Sequence, residues 1–301
     1  MIAMVRWPHD YGLDMRMFGT MFMLAVVYFV FIAVLAYIGV ETLFLVFIMG
    51  AMLLIQFFFS DRLVLMTMGA REVSEQEEPR LHETLTRLCA IAGIPRPRLA
   101  IVQSPVPNAF ATGRSPGHSV IAVTTGLTGM LNQEELEAVI AHELSHVRNR
   151  DVMVITLAGF LSMIAFFLLR NWLLSGRGMS TGSQGTRDKA ALLILIPILA
   201  AAVWVISTLL IRALSRYREF AADKGSAILT GKPSHLASAL MKISGKMEHV
   251  PTKDLREVEG MNAFFIIPAI SGSSIFELLS THPTVEQRIA ALERFSRETK
   301  G

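Results

Sequence analysis

The chain has 301 residues, 52% of them apolar and only 18% charged, with a formal net charge of +3. A mean hydropathy of +0.48 is too high for an ordinary soluble domain and fits one soluble unit carrying several membrane segments. Despite a pI near 9.2 there is no basic excess and no Lys/Arg run interleaved with aromatics, so no nucleic-acid partner is expected.

Two uncharged stretches open the chain, Met17–Gly39 and Thr42–Ser60. A membrane span needs about 20 apolar residues, so they read as a hairpin with its turn at Gly39–Thr42. The first stretch is too long for the apolar core of a cleaved signal and lacks a small-residue cleavage site. Arg6 and Arg16 precede the hairpin, Arg62 and Arg71 follow it, and the turn has no cation, which puts both open ends in the cytoplasm. Residues 72–93 then carry Leu81, Leu85, Leu88 and Ile91 at helical spacing, ending at Gly93. The lone Cys89 lies in this stretch; it cannot form an internal disulfide, permits a reducing compartment and reads as core. Arg98–Gln103 and Ser119–Thr124 have strand character, and Asn108–Gly113 reads as a further extended segment.

Asn132, with Glu135 three residues on, forms a capping-box pattern that starts a helix through Glu137, Ile140 and the His142–His146 stretch. A second uncharged pair follows, Val152–Leu169 and Ala190–Ile211. Arg148 and Arg150 before it, and Arg212, Arg216 and Arg218 after it, favour a cytoplasmic base. Its connecting loop carries Arg170, Arg177, Arg187 and Lys189 against Asp188, which the same rule disfavours for an outward crossing. Length and lack of charge favour spanning over burial within protein. The Ser/Gly-rich run at 175–185 reads as flexible. Helix is expected again over Arg216–Leu229, irregular chain over Gly260–Ser274, and a last helix opened by Thr281-His-Pro-Thr and running through Ile289, Leu292 and Phe295. The predicted fold is α+β: a mainly helical integral membrane protein whose soluble domain has a small sheet. Its parts are an N-terminal transmembrane hairpin (1–61), a first half-domain (62–151), a hydrophobic helical pair (152–211) and a second half-domain (212–301).

The chemistry is carried by His142-Glu143-Leu144-Ser145-His146. On a helix the two histidines lie about 40° apart around the axis and about 6 Å apart along it, so both imidazoles can bind one metal ion. Glu143 sits about 60° from His146, at the edge of the same face, where it can reach a metal-activated water without being a ligand. Catalytic zinc usually has three protein ligands. His249 and His282 are on no evident helix facing the site. Glu219 fits better, because Glu219 and Asp223 share a face of a second helix. One of these carboxylates can bind the metal while the other holds a ligand histidine through its second nitrogen.

Taken together, His142-Glu-Leu-Ser-His146-Val-Arg-Asn-Arg-Asp151, Glu219-Phe-Ala-Ala-Asp223, Asn108-Ala-Phe-Ala111 and Ser280-Thr-His-Pro-Thr284 with Arg288 resemble, in the same order, the HtpX family of membrane zinc proteases. The likeness covers nearly the whole chain. It implies a gluzincin-like domain with one zinc ion on His142, His146 and Glu219, Glu143 as catalytic base and Asp223 supporting a ligand histidine. It gives His282 and Arg288 supporting or transition-state roles. It makes Asn108, Ala109, Phe110 and Ala111 an edge for an extended peptide. The implied activity is a metalloendopeptidase in the cell membrane, with about four segments and a cytoplasmic active site, that cleaves misfolded or damaged proteins, membrane proteins included, in protein quality control. A prenyl-protein processing peptidase is the nearest alternative, against which four segments argue. A non-enzymatic membrane scaffold or small transporter with an accidental motif is the third reading; a transport path would need ionisable groups inside the spans, which are nearly absent, and lack of stoichiometric zinc in the purified protein would favour this reading.

Overall fold

The computed structural model describes residues 11–37, 42–175, 187–247 and 282–299. Two long helices open the chain, α1 (Tyr11–Tyr37) and α2 (Thr42–Thr67). Next come β1 (Ala70–Glu72), α3 (Pro79–Ala92), β2 (Arg98–Val102), β3 (Ala109–Ser115), β4 (His118–Thr124) and the short α4 (Thr125–Met130). The rest is helical: α5 (Gln133–Asn149), α6 (Asp151–Ser175), α7 (Arg187–Thr230), α8 (Pro233–Met247) and α9 (Val285–Glu298). The turn at Gly39–Thr42 apart from Thr42, the 175–185 run after Ser175, His249, Gly260–Ser274 and Thr281 lie outside the described residues.

The expected helix through Leu81, Leu85 and Leu88 is α3, stopped by Gly93 in the left-handed region at φ 66°. The capping box forms at α5: the Glu135 N–H donates to Asn132 Oδ1 at 2.8 Å, and the Asn132 N–H to Glu135 Oε2 at 3.0 Å. The three expected extended segments are β2, β3 and β4. Neither β1, α4 nor α8 was expected; three residues and six are too few to display a period, and α8 follows Gly231 and Lys232 directly after α7.

The sheet has the order β1-β2-β4-β3. β2 and β4 are parallel, pairing Arg98 with Val120 through Val102 with Thr124; the other two pairs are antiparallel. Strand alternation divides its apolar residues between two cores. Leu99, Ile101, Ala109, Ala111, Ile121 and Val123 join α3, α5, α8 and Leu292 of α9 in the main core. The opposite face, Ala100, Val102, Phe110, Val120 and Ala122, is covered by Val64, Leu65 and Met68 at the end of α2. The sheet is therefore buried on both sides, one side by the C-terminal end of α2 and the residue after it.

A third cluster joins the apolar helices, with Leu24, Tyr28 and Phe31 of α1 against Ala165 of α6 and Val203 of α7. Among the described residues, two helices are long and apolar enough to cross a membrane, α1 over Tyr11–Val34 and α7 over Pro197–Thr230. The second and third apolar stretches also form helices, α2 and α6. α7 is one continuous helix of 44 residues that carries the chain from its apolar stretch through Glu219 and Asp223. Where α5 passes into α6 the axis bends by 60°.

The hairpin of β3 and β4 tests this packing. A Cβ on Gly113 (φ 131°) would lie 2.2 Å from the His118 carbonyl oxygen, whereas one on Gly117 meets nothing within 4 Å. Gly113→Ala is expected to destabilise the protein by about 1–3 kcal/mol, read as a lower thermal midpoint in detergent, while Gly117→Ala leaves the midpoint nearly unchanged.

Candidate metal centre

The sequence from Ala138 to Leu144 is almost wholly buried, so α5 runs through the middle of the domain and carries His142 and Glu143 inward. His142 Nε2 and His146 Nε2 face each other at 3.1 Å. Their rings are nearly perpendicular, with centroids 4.7 Å apart. Glu219 enters from α7, its Oε2 lying 3.6 Å from His142 Nε2 and its Oε1 3.5 Å from His146 Nε2. One ligand atom from each of the three residues falls within 4.8 Å of the others.

The other imidazole nitrogens are already committed. His142 Nδ1 lies 3.0 Å from Asp223 Oδ1, and His146 Nδ1 lies 2.6 Å from Asp151 Oδ2. A carboxylate on Nδ1 holds the proton there and leaves Nε2 as a lone-pair donor, the state a metal ligand requires. Arg288 grips Asp223 with a two-pronged bond, Nε to Oδ2 at 2.9 Å and an Nη to Oδ1 at 2.6 Å, and reaches Glu219 Oε2 at 3.4 Å. His282 Nδ1 lies 3.3 Å from Glu219 Oε1.

These residues fit a divalent cation on charge as well as geometry. Among the described residues, four buried carboxylates, Glu143, Asp151, Glu219 and Asp223, face two buried guanidinium groups, Arg218 and Arg288, which leaves two negative charges in excess. Buried charge is tolerated only when paired. Among the described residues Glu219 Oε2 meets Arg288 as an ion pair but makes no hydrogen bond. The same demand for positive charge acts on His142: burial alone would lower its pKa, but the carboxylates of Asp223 and Glu219, which accept from its ring, push it up to about 9. His146, whose burial is offset less, is shifted downward.

The structure thus brings together His142, His146, Glu219, Asp223, His282 and Arg288, with Glu143 buried on the same helix. His282 reaches the centre without lying on a helix: it precedes the Thr284 cap of α9, which is why helical spacing gave no reason to place it there. Asn108 immediately precedes β3, and Ala109 to Ala111 begin it; β3 is an edge strand of the sheet and packs against α5. The Asn108 carbonyl accepts from the Thr124 N–H at 2.9 Å.

Two residues of the centre were not foreseen, Asp151 and Arg218. Five positions apart on an unbroken helix, His146 and Asp151 would point about 140° away from each other. The helix does not continue, because Arg150 adopts the left-handed conformation at φ 58° and its N–H returns to the carbonyls of His146 and Val147. That reversal turns Asp151, the first residue of α6, back onto His146. Arg218 of α7 pairs with Asp151 and donates to the Asn149 carbonyl at 2.9 Å. Asp151→Asn should weaken metal binding by about 10–100-fold, as loss of a histidine-orienting carboxylate typically does. Competition with a chromogenic chelator measures this.

A model of Peptidase family M48 matches residues 75–296. The chain is 59% identical over 293 residues to "Protease HtpX homolog 2" of Methanosarcina acetivorans, covering 97% of this chain and 98% of that protein. It is 54% identical over 289 residues to "Protease HtpX homolog" of Moorella thermoacetica, covering 96% of each. Its backbone resembles the crystal structure of S. mikatae Ste24p with a TM-score of 0.56 and 18% identity, over 94% of this chain and 67% of that one, a likeness of fold alone. With a matched family model over most of its length and relatives this similar end to end, the chain belongs to peptidase family M48 as an HtpX-type membrane zinc metalloprotease.

Proposed function

We propose that the chain is an endopeptidase that binds one zinc ion through His142, His146 and Glu219 and cleaves misfolded or damaged proteins, membrane proteins included, on the cytoplasmic side of the cell membrane. The observation that carries the reading is the convergence of two Nε2 atoms and one carboxylate on a single point, with both Nδ1 atoms held by other carboxylates. Zinc bound there supplies Lewis acidity, which brings the pKa of a water towards neutrality and polarises a peptide carbonyl. Glu143 accepts the proton of the attacking water and passes it to the leaving amine. Asp223 and Asp151 keep the imidazoles oriented, and Arg288 holds Asp223 and Glu219 in turn. His282 donates to the oxyanion that develops at the carbonyl. Asn108–Ala111 at the sheet edge pairs with an extended stretch of substrate backbone, an arrangement suited to unfolded chains because it reads main chain rather than side chains.

In this reading residues 1–61 and 152–211 are membrane hairpins, and 62–151 with 212–301 form the protease domain at their cytoplasmic base. The Arg62 and Arg71 flank, and the Arg212, Arg216 and Arg218 flank, support that orientation. A second reading, processing of prenylated proteins, is compatible with the shared fold of Ste24p. Parallel assays on a prenylated peptide and on a misfolded membrane protein separate the two.

Glu143→Gln, purified in detergent, should keep its zinc and lose about 10²–10⁴-fold in cleavage of an unfolded substrate, the range for a lost general base; near-normal cleavage would remove Glu143 from that role. Glu219→Ala should lose most of its zinc by elemental analysis, and unchanged occupancy would strike Glu219 from the ligand set. Chelation should abolish cleavage by the unaltered protein, and added zinc should restore it.

A further inference from the structure

Away from the metal centre, the end of α2 and the sheet enclose a cavity of about 740 Å³ whose lining changes character along the helix. On one side are Leu54, Ile55, Phe58 and Phe59, each 48–59% exposed. On the other are Arg62, Arg98, Arg114 and His118. Leu54, Phe58 and Arg62 follow one another at four-residue spacing, so a single stripe of α2 passes from apolar to cationic within one turn. The cavity sits where the uncharged stretch Thr42–Ser60 ends and charge begins at Asp61 and Arg62.

The charges are not balanced within the protein. Asp61, the one carboxylate lining the cavity, accepts from Arg98 at 3.3 Å, and Arg98 also pairs with Glu72. Arg96 is held by Glu75 at 2.5 Å. Arg114 lies over the Phe58 ring, 5.5 Å from its centroid, which places a guanidinium group directly on the apolar wall. Among the described residues, neither Arg62 nor Arg114 meets a carboxylate.

We propose that this cavity binds one anionic phospholipid, with its phosphate between Arg62 and Arg114 and its acyl chains along Leu54, Ile55 and Phe58. Juxtamembrane cations attract anionic headgroups through their charge, and Arg62 and Arg114 supply two such charges beside the apolar wall. A soluble phosphate would satisfy only the cations and leave the apolar wall in water. A zwitterionic lipid would bring its ammonium group into a cluster of arginines. The assignment rests on α2 lying in the bilayer and is independent of the chemistry at the metal centre. Arg114 belongs to β3, so the lipid would also tie the edge strand of the sheet to the membrane.

The full-length protein in mild detergent, titrated with phosphatidylglycerol and followed by native mass spectrometry, should retain one such lipid in preference to phosphatidylcholine of equal chain length. Arg62→Gln/Arg114→Gln should bind phosphatidylglycerol about thirtyfold more weakly, and Arg62→Lys/Arg114→Lys should stay within about threefold of the unaltered protein, since charge is kept. Equal binding by the Gln variant, or equal retention of the two lipids, overturns the site. Equal loss in the Gln and Lys variants traces the effect to packing and overturns the charge-based assignment. Displacement of the lipid by inorganic phosphate makes the ligand a free anion, and the lipid assignment falls.

Discussion

Buried negative charge is the constraint around which the centre of this molecule is arranged. Glu143, Asp151, Glu219 and Asp223 are all withdrawn from water, and among the described residues the buried guanidinium groups opposite them are those of Arg218 and Arg288. A carboxylate in the interior costs several kcal/mol unless it is matched. Here the matching takes two forms, guanidinium groups and imidazole N–H donors, and it leaves a surplus suited to a dication. The bonds that neutralise Asp223 and Asp151 also set the tautomers of His142 and His146. Charge balance and ligand geometry are therefore one arrangement, and altering either disturbs both.

That arrangement is built across the base of the second apolar pair. His146 ends α5, its partner Asp151 begins α6, and Arg218, which holds Asp151, comes after the apolar stretch of α7. The strained αL residue Arg150 is where the chain turns from the domain into α6. The continuity of α7 gives the same link from the other side, because a helix transmits position rigidly from its apolar stretch to Glu219 and Asp223. The apolar stretch of α7 and the carboxylates of Glu219 and Asp223 thus lie on one helix, and residues 152–211 stand in the chain between the histidine pair and those carboxylates.

The small sheet is joined to the N-terminal helices in a similar way. Its parallel β2–β4 pair is apolar on both faces, and the face turned from the main core is closed by Val64 and Leu65 of α2 and by Met68 just after it. β3 consequently lies at the sheet edge with α2 on one face and α5 on the other, within reach of both the cavity at the end of α2 and the helix that carries His142.

Much of this was legible in the residues alone. The histidine spacing fixed a helix and a shared face because 3.6 residues per turn leaves no other way for positions 142 and 146 to meet. The capping box at Asn132, the stop at Gly93 and the uncharged stretches announced elements through local physics, and local physics is what a sequence displays. The contacts of Asp151 and Arg218 were not legible, and His282 was named by resemblance rather than by spacing. Arg218 and Asp151 are 67 residues apart, Arg288 and Asp223 are 65 apart, and no period connects them. Asp151 was hidden by the one residue that breaks helical geometry. The sequence by itself determined which donors exist and which two share a helix face. Only the tertiary structure decided which carboxylate orients which imidazole, because that depends on where separate helices cross, and crossing is fixed by packing rather than by spacing.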